Sequence, residues 1–320
     1  MKIDIIIPVY SNLKEIRDCV ESVLKYSDRA LYDLILINDR GPEPEVTEYV
    51  NHIKDPNIKV YTNGMNLGFV KTVNIGMKLS EHDVVLLNSD TLVTENWLDN
   101  MITAMKKHPE IMCLNPTTNY KFCMGAIPYF RKENEIPDTL SVDDMGVIVE
   151  KAGRGKVYEI PEISGFCMYI RREALKSVGY FDADTFGKGY GEETDFCERV
   201  KLKGYKLGLV DNSYVYHKGG SSFGSEKLKL KNTHTQIVHQ RYKGLVKERL
   251  EFIIDNPMTD FQKKVLELMY PGDKEALKKF EMNLNKVRKE SKIQLVTEMI
   301  FKVIPGGAKI RSGLKRILKR

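Results

Sequence analysis

Short apolar runs alternate with longer amphipathic segments through the first half of the chain, and this alternation limits the folds that the chain can adopt. Each apolar run has strand length, and each segment between two runs carries apolar residues at helical spacing. Strands separated by single helices pair in parallel through right-handed crossovers. The sequence therefore predicts an α/β fold: a Rossmann-like, three-layer sandwich with a mainly parallel central sheet.

The predicted elements divide the chain into two parts. In the first part we expect strands at 3–9, 33–38, 58–61, 84–87, 111–114, 165–170, 205–210 and 214–216, and helices at 13–26, 43–53, 69–79, 97–105, 172–178 and 192–203. Between 115 and 161 the pattern is irregular, with one helical hint at 142–149, so we expect a loop that borders a functional site. Beyond residue 225 the pattern is helical, at 226–250, 261–269, 274–287, 293–303 and 310–318.

Composition favours a globular protein of a reducing compartment. Of the 320 residues 42% are hydrophobic, and no apolar run approaches the ~20 residues of a membrane span. The N-terminus is read as a first strand because an acid follows too early for a secretory signal. The five cysteines are scattered and form no Cys-x-x-Cys pair, so we expect buried thiols and a cytoplasmic location.

The net charge of +6 is concentrated near the C-terminus. From Ser291 onward a single acid, Glu298, accompanies eight basic residues: Lys292, Lys302, Lys309, Arg311, Lys315, Arg316, Lys319 and Arg320. The segment 310–318 forms a small basic amphipathic helix in this interpretation, suited to peripheral contact with the inner face of an anionic membrane. Docking on the rest of the chain is the alternative. The sequence contains no nucleic-acid-binding motif, so we expect no nucleic-acid partner.

One predicted strand ends in a short polar segment that suits a cation. The run 84–87 is followed at once by Asn88-Ser89-Asp90. Ligands of open α/β sheets bind beyond the carboxyl ends of the strands. A carboxylate at that position is well placed to hold a hard cation and, through it, phosphate oxygens. The alternative is an Asx-turn that caps the next helix.

The helix predicted at 192–203 carries a second candidate carboxylate. Glu193 shares one face with Phe196, Cys197 and Val200, so we expect it at the rim of the core. Desolvation there raises the pKa of a carboxyl group, which suits a general base. Alternatively, Glu193 only complements the helix dipole. Asp195 stands four residues before Arg199 and can form an ion pair with it.

Six segments together resemble glycosyltransferase family 2 over roughly residues 3–224. They are Ile5-Ile-Ile-Pro-Val-Tyr10-Ser-Asn, Leu36-Ile-Asn-Asp39-Arg-Gly, Asn63-Gly-Met-Asn66-Leu-Gly68-Phe, Asn88-Ser-Asp90, Gly191-Glu-Glu-Thr-Asp195-Phe-Cys-Glu-Arg199, and His217 before a Gly-Gly-Ser-Ser run. The resemblance implies a GT-A fold at 1–224, with a nucleotide-binding half at 1–116 and an acceptor-binding half at 117–224. A helical, basic extension at 225–320 would follow.

The activity implied by the resemblance is inverting transfer of a sugar from a nucleoside diphosphate, with UDP or dTDP expected, to a hydroxyl of a glycan or lipid-linked acceptor. Cell-surface polysaccharide synthesis is the expected role. The residues implied at the donor site are Pro8, Tyr10, Asp39, Asn66, Lys71, Asn88, Ser89 and Asp90. Asp90 and His217 would hold Mn²⁺ or Mg²⁺. Acceptor contacts are implied for Gly165, Tyr190, Glu192 and Asp195, and Glu193 would be the base.

Two positions depart from the family pattern. Asn88 replaces the first acid of the metal-binding Asp-x-Asp, which leaves fewer protein ligands for a cation. Glu193 stands where an aspartate is commoner, so Glu192 remains a rival base. A non-catalytic relative that binds nucleotide sugars or glycans is the alternative function. A nucleotidyltransferase is disfavoured because no glycine-rich phosphate loop follows the first strand.

Overall fold

A computed structural model describes residues 2–121, 123–131, 134–219 and 225–303. The strands in these residues are β1 (Ile3–Val9), β2 (Tyr32–Asn38), β3 (Ile58–Thr62), β4 (Asp83–Leu87), β5 (Thr91–Val93), β6 (Ile111–Thr117), β7 (Val157–Glu159), β8 (Cys167–Ile170) and β9 (Lys206–His217). The helices are α1 (Leu13–Tyr26), α2 (Pro44–His52), α3 (Phe69–Leu79), α4 (Trp97–Lys107), α5 (Val142–Ala152), α6 (Arg172–Val178), α7 (Ala183–Phe186), α8 (Glu192–Leu202), α9 (Ser225–Arg241), α10 (Leu245–Asp255), α11 (Thr259–Met269) and α12 (Lys274–Val303).

One twisted sheet organises the described residues. Its strand order is β3-β2-β1-β4-β8-β6-β9-β5, and β7 pairs with β9. The first four strands of this order run parallel, as do β6 and β9. β8 runs antiparallel to both β4 and β6, and β5 and β7 run antiparallel to β9. The sheet is therefore mixed, with its parallel part where strand and helix alternate in the sequence.

Both faces of the sheet are covered, which gives the three layers that the alternation predicts. Ile3, Ile5 and Ile7 of β1 pack in a cluster with residues of α1, α2 and α4. Ile6 points to the other face and joins a cluster with residues of α3, α5, α6 and α8. A strand buried on both faces carries apolar residues at most positions, which explains the nearly continuous apolar runs. The five cysteines are buried, free thiols.

Several element boundaries differ from the expectation. β5 was not expected, because three residues carry too little periodicity to be detected. The two strands expected at 205–210 and 214–216 form one strand, β9. Asp211 lies inside it, and its carboxylate accepts the backbone N–H groups of Arg154 and Lys156 at 3.0 and 2.9 Å. This polar residue thus binds a neighbouring loop instead of ending the strand.

The C-terminal helices also differ in their limits. The helix expected at 226–250 is broken into α9 and α10 near Gly244, since glycine is a poor helix former. The helices expected at 274–287 and 293–303 form one helix, α12, because the residues between them are good helix formers without Gly or Pro. Val238, Leu245 and Phe261 of α9–α11 join the same cluster as α3 and α8. The division of the chain at residue 224 stays a prediction.

The C-terminal end of the chain is described up to residue 303. None of the described helices combines the length and the apolar character that a membrane span requires. The basic amphipathic helix expected at 310–318 lies outside the described residues.

Candidate active site

The turn that follows β4 is held in place by backbone contacts. The Asn88 N–H donates to the carbonyl of Phe166 at 2.8 Å, and the Thr91 hydroxyl donates to the carbonyl of Asn88 at 2.6 Å. The chain thus leaves β4, turns through Ser89 and Asp90, and enters β5. These bonds fix the direction in which the Asp90 side chain leaves the sheet.

β9 brings His217 to Asp90. β5 and β9 pair antiparallel with Thr91 opposite His217, so the residue before Thr91 lies beside the histidine. His217 Nε2 is 3.2 Å from Oδ2 of Asp90. Burial acts to raise the pKa of Asp90, but the hydrogen bond and charge of His217, together with the backbone N–H groups of Asp90 and Gly219, outweigh it, so the pKa lies below its usual value. An ionised carboxylate beside an imidazole is a donor set that suits a divalent cation.

Aromatic side chains fix the His217 ring. Phe166 stacks on it with ring centroids 5.3 Å apart, and Tyr120 meets it edge-on at 4.8 Å. The backbone of His217 exchanges two hydrogen bonds with the Asn119 side chain. Among the described residues, Nδ1 of the ring has no hydrogen-bond partner. The imidazole is therefore held in one orientation at the end of a strand.

Two adjacent glutamates begin α8. Glu192 is 5% exposed, and within the described part of the chain its Oε2 has no hydrogen-bond partner. Glu193 is partly exposed, and its Oε2 accepts the N–H of Gly191 at 3.2 Å. Gly165 lies beside Glu193: a Cβ atom there would be 3.8 Å from the Cβ of Glu193. The expected face of Phe196, Cys197 and Val200 is buried.

The two glutamates perturb each other. Burial and then the charge of Glu193 raise the pKa of Glu192 well above its ordinary value. Burial and the charge of Glu162 also raise the pKa of Glu193 above its ordinary value, although the backbone N–H groups of Glu193 and Gly191 and the charge of Arg249 act in the opposite direction. Two close carboxyl groups cannot both ionise easily, so they hold one proton between them over part of the pH range.

A large cavity reaches His217 of the Asp90–His217 pair and both glutamates. Its volume is about 1040 Å³, which is sufficient for a ligand of substrate size. Of the expected site residues it is lined by Asn88, Gly165, Tyr190, Glu192, Glu193 and His217. The expectation that the 115–161 stretch borders the site rests on one side chain, Tyr120, which lines the cavity.

The residues expected around the nucleoside lie outside this cavity, at the ends of β1, β2 and β3. The Asp39 carboxylate accepts from the Asn63 side chain at 2.8 Å and from the N–H groups of Leu67 and Gly68 at 2.8 and 2.9 Å. Gly41 passes so close to the Tyr10 carbonyl that a Cβ atom there would overlap it. The loops after β1, β2 and β3 are thus tied together around Asp39.

Gly68 connects these loops to the cavity. A Cβ on Gly68, which has φ 81°, would lie 3.4 Å from the Gly187 carbonyl oxygen and the Lys188 Cα. Lys188 lines the cavity. The loops that carry the expected nucleoside residues therefore meet the wall of the cavity at this contact. Tyr10, Asn66 and Lys71 are exposed on that side, and Pro8 is partly exposed.

Asp195 lies away from the cavity. Its Oδ2 accepts from Nε of Arg199 at 2.9 Å, and its Oδ1 accepts from Arg241 at 2.7 Å and from the Tyr242 hydroxyl at 2.8 Å. Both oxygens are therefore occupied, and the side chain is buried. This placement favours the ion pair over the acceptor contact expected for Asp195.

The C-terminal helices contribute a wall of the cavity that sequence reasoning missed. The lining residues of this wall are Lys229, Leu230, Lys231, Thr233, Thr235, Val238 and His239 of α9 and Arg249 of α10. Glu162, which forms an ion pair with Arg249, also lines the cavity. No sequence motif identifies these residues, because a helix surface that lines a cavity has the same residue spacing as one that does not.

Comparison with known proteins gives the family. A family model described as glycosyl transferase family 2 matches residues 4–179, more than half of the chain. The chain belongs to this family. The expected family is confirmed, and the match supports the expected activity class, a glycosyltransferase.

Curated relatives in this family are distant. The uncharacterized protein y4gI of Sinorhizobium fredii is 22% identical over 293 residues, which cover 80% of this chain and 30% of that protein. The poly-beta-1,6-N-acetyl-D-glucosamine synthase of Staphylococcus epidermidis is 25% identical over 190 residues, 57% of this chain and 42% of that protein. The chain thus spans less than half the length of these two relatives. Glycosyltransferase GlyG of Streptococcus pneumoniae is 19% identical over 224 residues, 69% of this chain and 72% of that protein.

Solved structures confirm the GT-A fold of this family member. The structure of GalNAc-T7 with UDP, GalNAc and Mn²⁺ matches with a TM-score of 0.57 at 19% identity, over 89% of this chain and 54% of that chain. The mannosyltransferase PcManGT from Pyrobaculum calidifontis, in complex with GDP-Man and Mn²⁺, matches with a TM-score of 0.50 at 14% identity, over 97% of this chain and 83% of that chain. The expected fold class, GT-A with C-terminal helices, agrees with these similarities.

Proposed function

We propose that this glycosyltransferase is a metal-dependent, inverting enzyme that transfers a sugar from a nucleoside diphosphate to a hydroxyl of a glycan or glycolipid acceptor. The observation that carries the proposal is the cavity itself. One end is lined by His217, whose imidazole contacts Asp90, and another part of its wall holds Glu192 and Glu193. Donor activation and acceptor deprotonation need these two kinds of group in one cavity.

Asp90 and His217 are the proposed cation ligands. Their side chains provide one carboxylate and one imidazole, and the described residues contain no cluster of three His, Cys, Asp or Glu side chains. This donor set fits a cation that takes its remaining ligands from water and from substrate phosphate oxygens, as Mg²⁺ and Mn²⁺ do. The Mn²⁺ in the GalNAc-T7 and PcManGT structures supports the assignment. A cation bound there would neutralise charge on the departing diphosphate.

Glu193 is the proposed base, with Glu192 as its proton-holding neighbour. Glu192 is the more enclosed of the two and has an oxygen without a partner among the residues that the structure describes, so it retains a proton more readily. Glu193 accepts the Gly191 N–H and faces the partly open cavity, which favours its ionised form. An ionised Glu193 can remove the proton of an acceptor hydroxyl, so that the hydroxyl oxygen attacks the anomeric carbon.

The donor side and the acceptor side follow from these assignments. The loops around Asp39, with Pro8, Tyr10, Asn66 and Lys71, would hold the nucleoside, and Asn88 and Ser89 would lie near the diphosphate. UDP or dTDP is the expected nucleotide; UDP in the GalNAc-T7 structure and GDP-Man in the PcManGT structure support a nucleotide-sugar donor. Gly165, Tyr190 and Glu192 border the proposed acceptor position. A single positioned base and direct attack by the acceptor result in inversion.

The cellular role rests on the relatives. Similarity to the poly-beta-1,6-N-acetyl-D-glucosamine synthase supports a role in cell-surface polysaccharide synthesis. Five buried free thiols are consistent with a reducing, cytoplasmic compartment. The basic residues after Ser291 would bind the inner face of the membrane peripherally.

Calorimetric titration tests the proposal. UDP, GDP and dTDP are titrated into the protein, each in the presence of Mn²⁺ and again with EDTA. The proposal predicts binding of one nucleotide, weakened at least about tenfold when the metal is removed. Absence of binding for all three nucleotides would contradict a nucleotide-sugar enzyme. The anomeric configuration of the product, read by NMR once donor and acceptor are known, tests inversion.

A further inference from the structure

Four of the five residues that precede the catalytic glutamates have backbone angles in the left-handed region. They form a segment that we call the glycine loop, residues 187–191, with φ of 30° at Gly187, 117° at Gly189, 72° at Tyr190 and 97° at Gly191. Glycine adopts such angles without penalty, but a tyrosine does so only when the surroundings hold it. Contacts from outside the loop must therefore hold this conformation.

A histidine on α9 supplies one such contact. His234 is 7% exposed, and its Nδ1 lies 2.8 Å from the carbonyl oxygen of Gly189 and 3.0 Å from that of Tyr190. Both partners are acceptors, so Nδ1 must carry a hydrogen and donate it to the loop. The ring also packs edge-on against Phe186, with centroids 5.3 Å apart.

α9 holds the chain on both sides of the glycine loop as well. Arg241 donates to Asp182 at 2.9 Å and to Thr185 at 2.8 Å, before the loop, and to Asp195 at 2.7 Å, after it. Val238 lies against the loop itself: a Cβ atom on Gly191 would be 3.1 Å from its Cγ2. The family match ends at residue 179, so neither α9 nor the loop belongs to the part of the chain that the family model covers.

We propose that His234 is a positioning residue of the transferase, which holds the glycine loop in the conformation that directs Glu193 into the cavity. The path of contacts from the glycine loop to the Glu193 carboxylate is short. The Gly191 N–H donates to the Glu193 carboxylate at 3.2 Å, so the orientation of that peptide decides where the carboxylate lies. The same loop contacts Gly68 in the nucleotide-binding half, so its position also sets the distance between donor and base. This inference rests on the proposed role of Glu193.

The test compares His234→Ala, His234→Asn and His234→Gln with the parent chain. The amide of asparagine places an N–H near the position of Nδ1, whereas glutamine places it one atom further away. Gln236→Ala, at an exposed position of the same helix, is the control. Hydrogen exchange of the amides of 189–193 is measured on the full chain, without ligand and with UDP and Mn²⁺.

We expect exchange at 189–193 to rise about tenfold or more in His234→Ala and His234→Gln, and to stay near the parent rate in His234→Asn and in the control. The ligand-free arm does not depend on the proposed function, so it tests the loop contact even if no nucleotide binds. Equal exchange in His234→Ala and the parent would overturn the proposal, as would an asparagine variant that exchanges as fast as the glutamine variant. If His234→Ala does not fold, the difference in exchange between His234→Asn and His234→Gln tests the proposal.

Turnover separates positioning from stability. With a sugar donor of the nucleotide that calorimetry identifies, we expect kcat of His234→Gln to fall about tenfold or more while the KM for the donor changes less than about twofold, with recovery in His234→Asn. A rise in the KM for the donor with an unchanged kcat in His234→Gln would overturn the proposal. If exchange responds as expected but Glu193→Gln retains full turnover, the proposed base is wrong while the loop contact stands.

Discussion

His217 Nε2 lies 3.2 Å from Asp90 Oδ2, although the two residues are far apart in the sequence. The antiparallel pairing of β5 with β9 brings them together. In the proposed enzyme these two side chains are the protein ligands of the cation, and oxygens of the donor diphosphate would supply further ligands.

Asp90→Ala should abolish the metal dependence of nucleotide binding. The carboxylate is the single acidic ligand in the proposed set, so its loss leaves His217 and water. We expect nucleotide affinity in Mn²⁺ to fall at least about tenfold, to the value that EDTA gives for the parent. Calorimetry measures both. Asp99→Ala, at an exposed position of α4, is the control, and equal metal dependence in Asp90→Ala and the control would refute the cation site.

Glu192→Gln should stabilise the protein at neutral pH more than at acid pH. Burial raises the pKa of Glu192 well above its ordinary value, so the folded state binds this proton more tightly than the unfolded state does. The stability that comes from the proton is present at low pH and is lost as the pH rises from the unfolded-state pKa through the folded-state pKa. Glutamine mimics the protonated form at every pH.

Thermal unfolding of the Glu192→Gln variant and the parent at pH 5 and pH 8 measures this difference. We expect the gain in Tm to be larger at pH 8, by about 2 °C or more. Glu81→Gln, at an exposed position, should show no such pH dependence. A gain that is the same at both pH values, or larger at pH 5, would mean that Glu192 does not hold a proton in the folded protein.

Asp195→Asn should destabilise the fold. The aspartate is buried and accepts from Arg199, Arg241 and Tyr242, so the change takes the carboxylate partner from Arg199 and leaves Arg241 paired with Asp182 alone. Because both arginines are partly exposed, we expect a loss of about 2 kcal/mol in the free energy of unfolding. Urea unfolding measures it. Asp18→Asn, which breaks an exposed ion pair with Lys14, should cost less than about 0.5 kcal/mol, and a similar loss in both variants would contradict the account.

Asp39→Ala should loosen the loops around the proposed nucleoside site. The carboxylate accepts from Asn63, Leu67 and Gly68, and without it the Leu67 N–H loses this acceptor while Asn63 and Gly68 keep their bonds to Thr72 and Asn66. We expect a loss of about 1–3 kcal/mol in the free energy of unfolding, together with weaker nucleotide binding. Urea unfolding and calorimetry measure the two effects. The control is Asp28→Ala, which removes a single bond to the Ala30 N–H at an exposed turn, and its nucleotide affinity should be unchanged.

The α/β part was predictable because local pattern and tertiary role agree there. β1, α1, α3 and α6 have the bounds that their periodicity predicts, since each buries the face that its apolar residues define. The antiparallel β8 was not predictable. Its apolar run is compatible with either direction, and direction depends on the path of the preceding irregular segment.

The site was predictable where a motif follows a strand and not where a helix supplies a surface. Asp90 comes directly after β4, so its position at the sheet edge follows from the strand. His234 is one polar residue in a helix whose partner loop is 45 residues away in the sequence, and no spacing records that contact. Asp195 shows a third case. Its sequence position is compatible with an acceptor contact or with an ion pair, and the positions of Arg241 and Tyr242 in the structure distinguish the two.

The central claim is that one cavity binds the donor through Asp90 and activates the acceptor through Glu193. Glu193→Gln tests it most directly, because glutamine keeps the size of the side chain and removes the base. Nucleotide affinity by calorimetry and turnover by release of nucleoside diphosphate are measured on this variant, on Glu81→Gln and on the parent. The account predicts affinity within about twofold of the parent and a loss of turnover of about 100-fold or more in Glu193→Gln alone. Turnover within about threefold of the parent would contradict it.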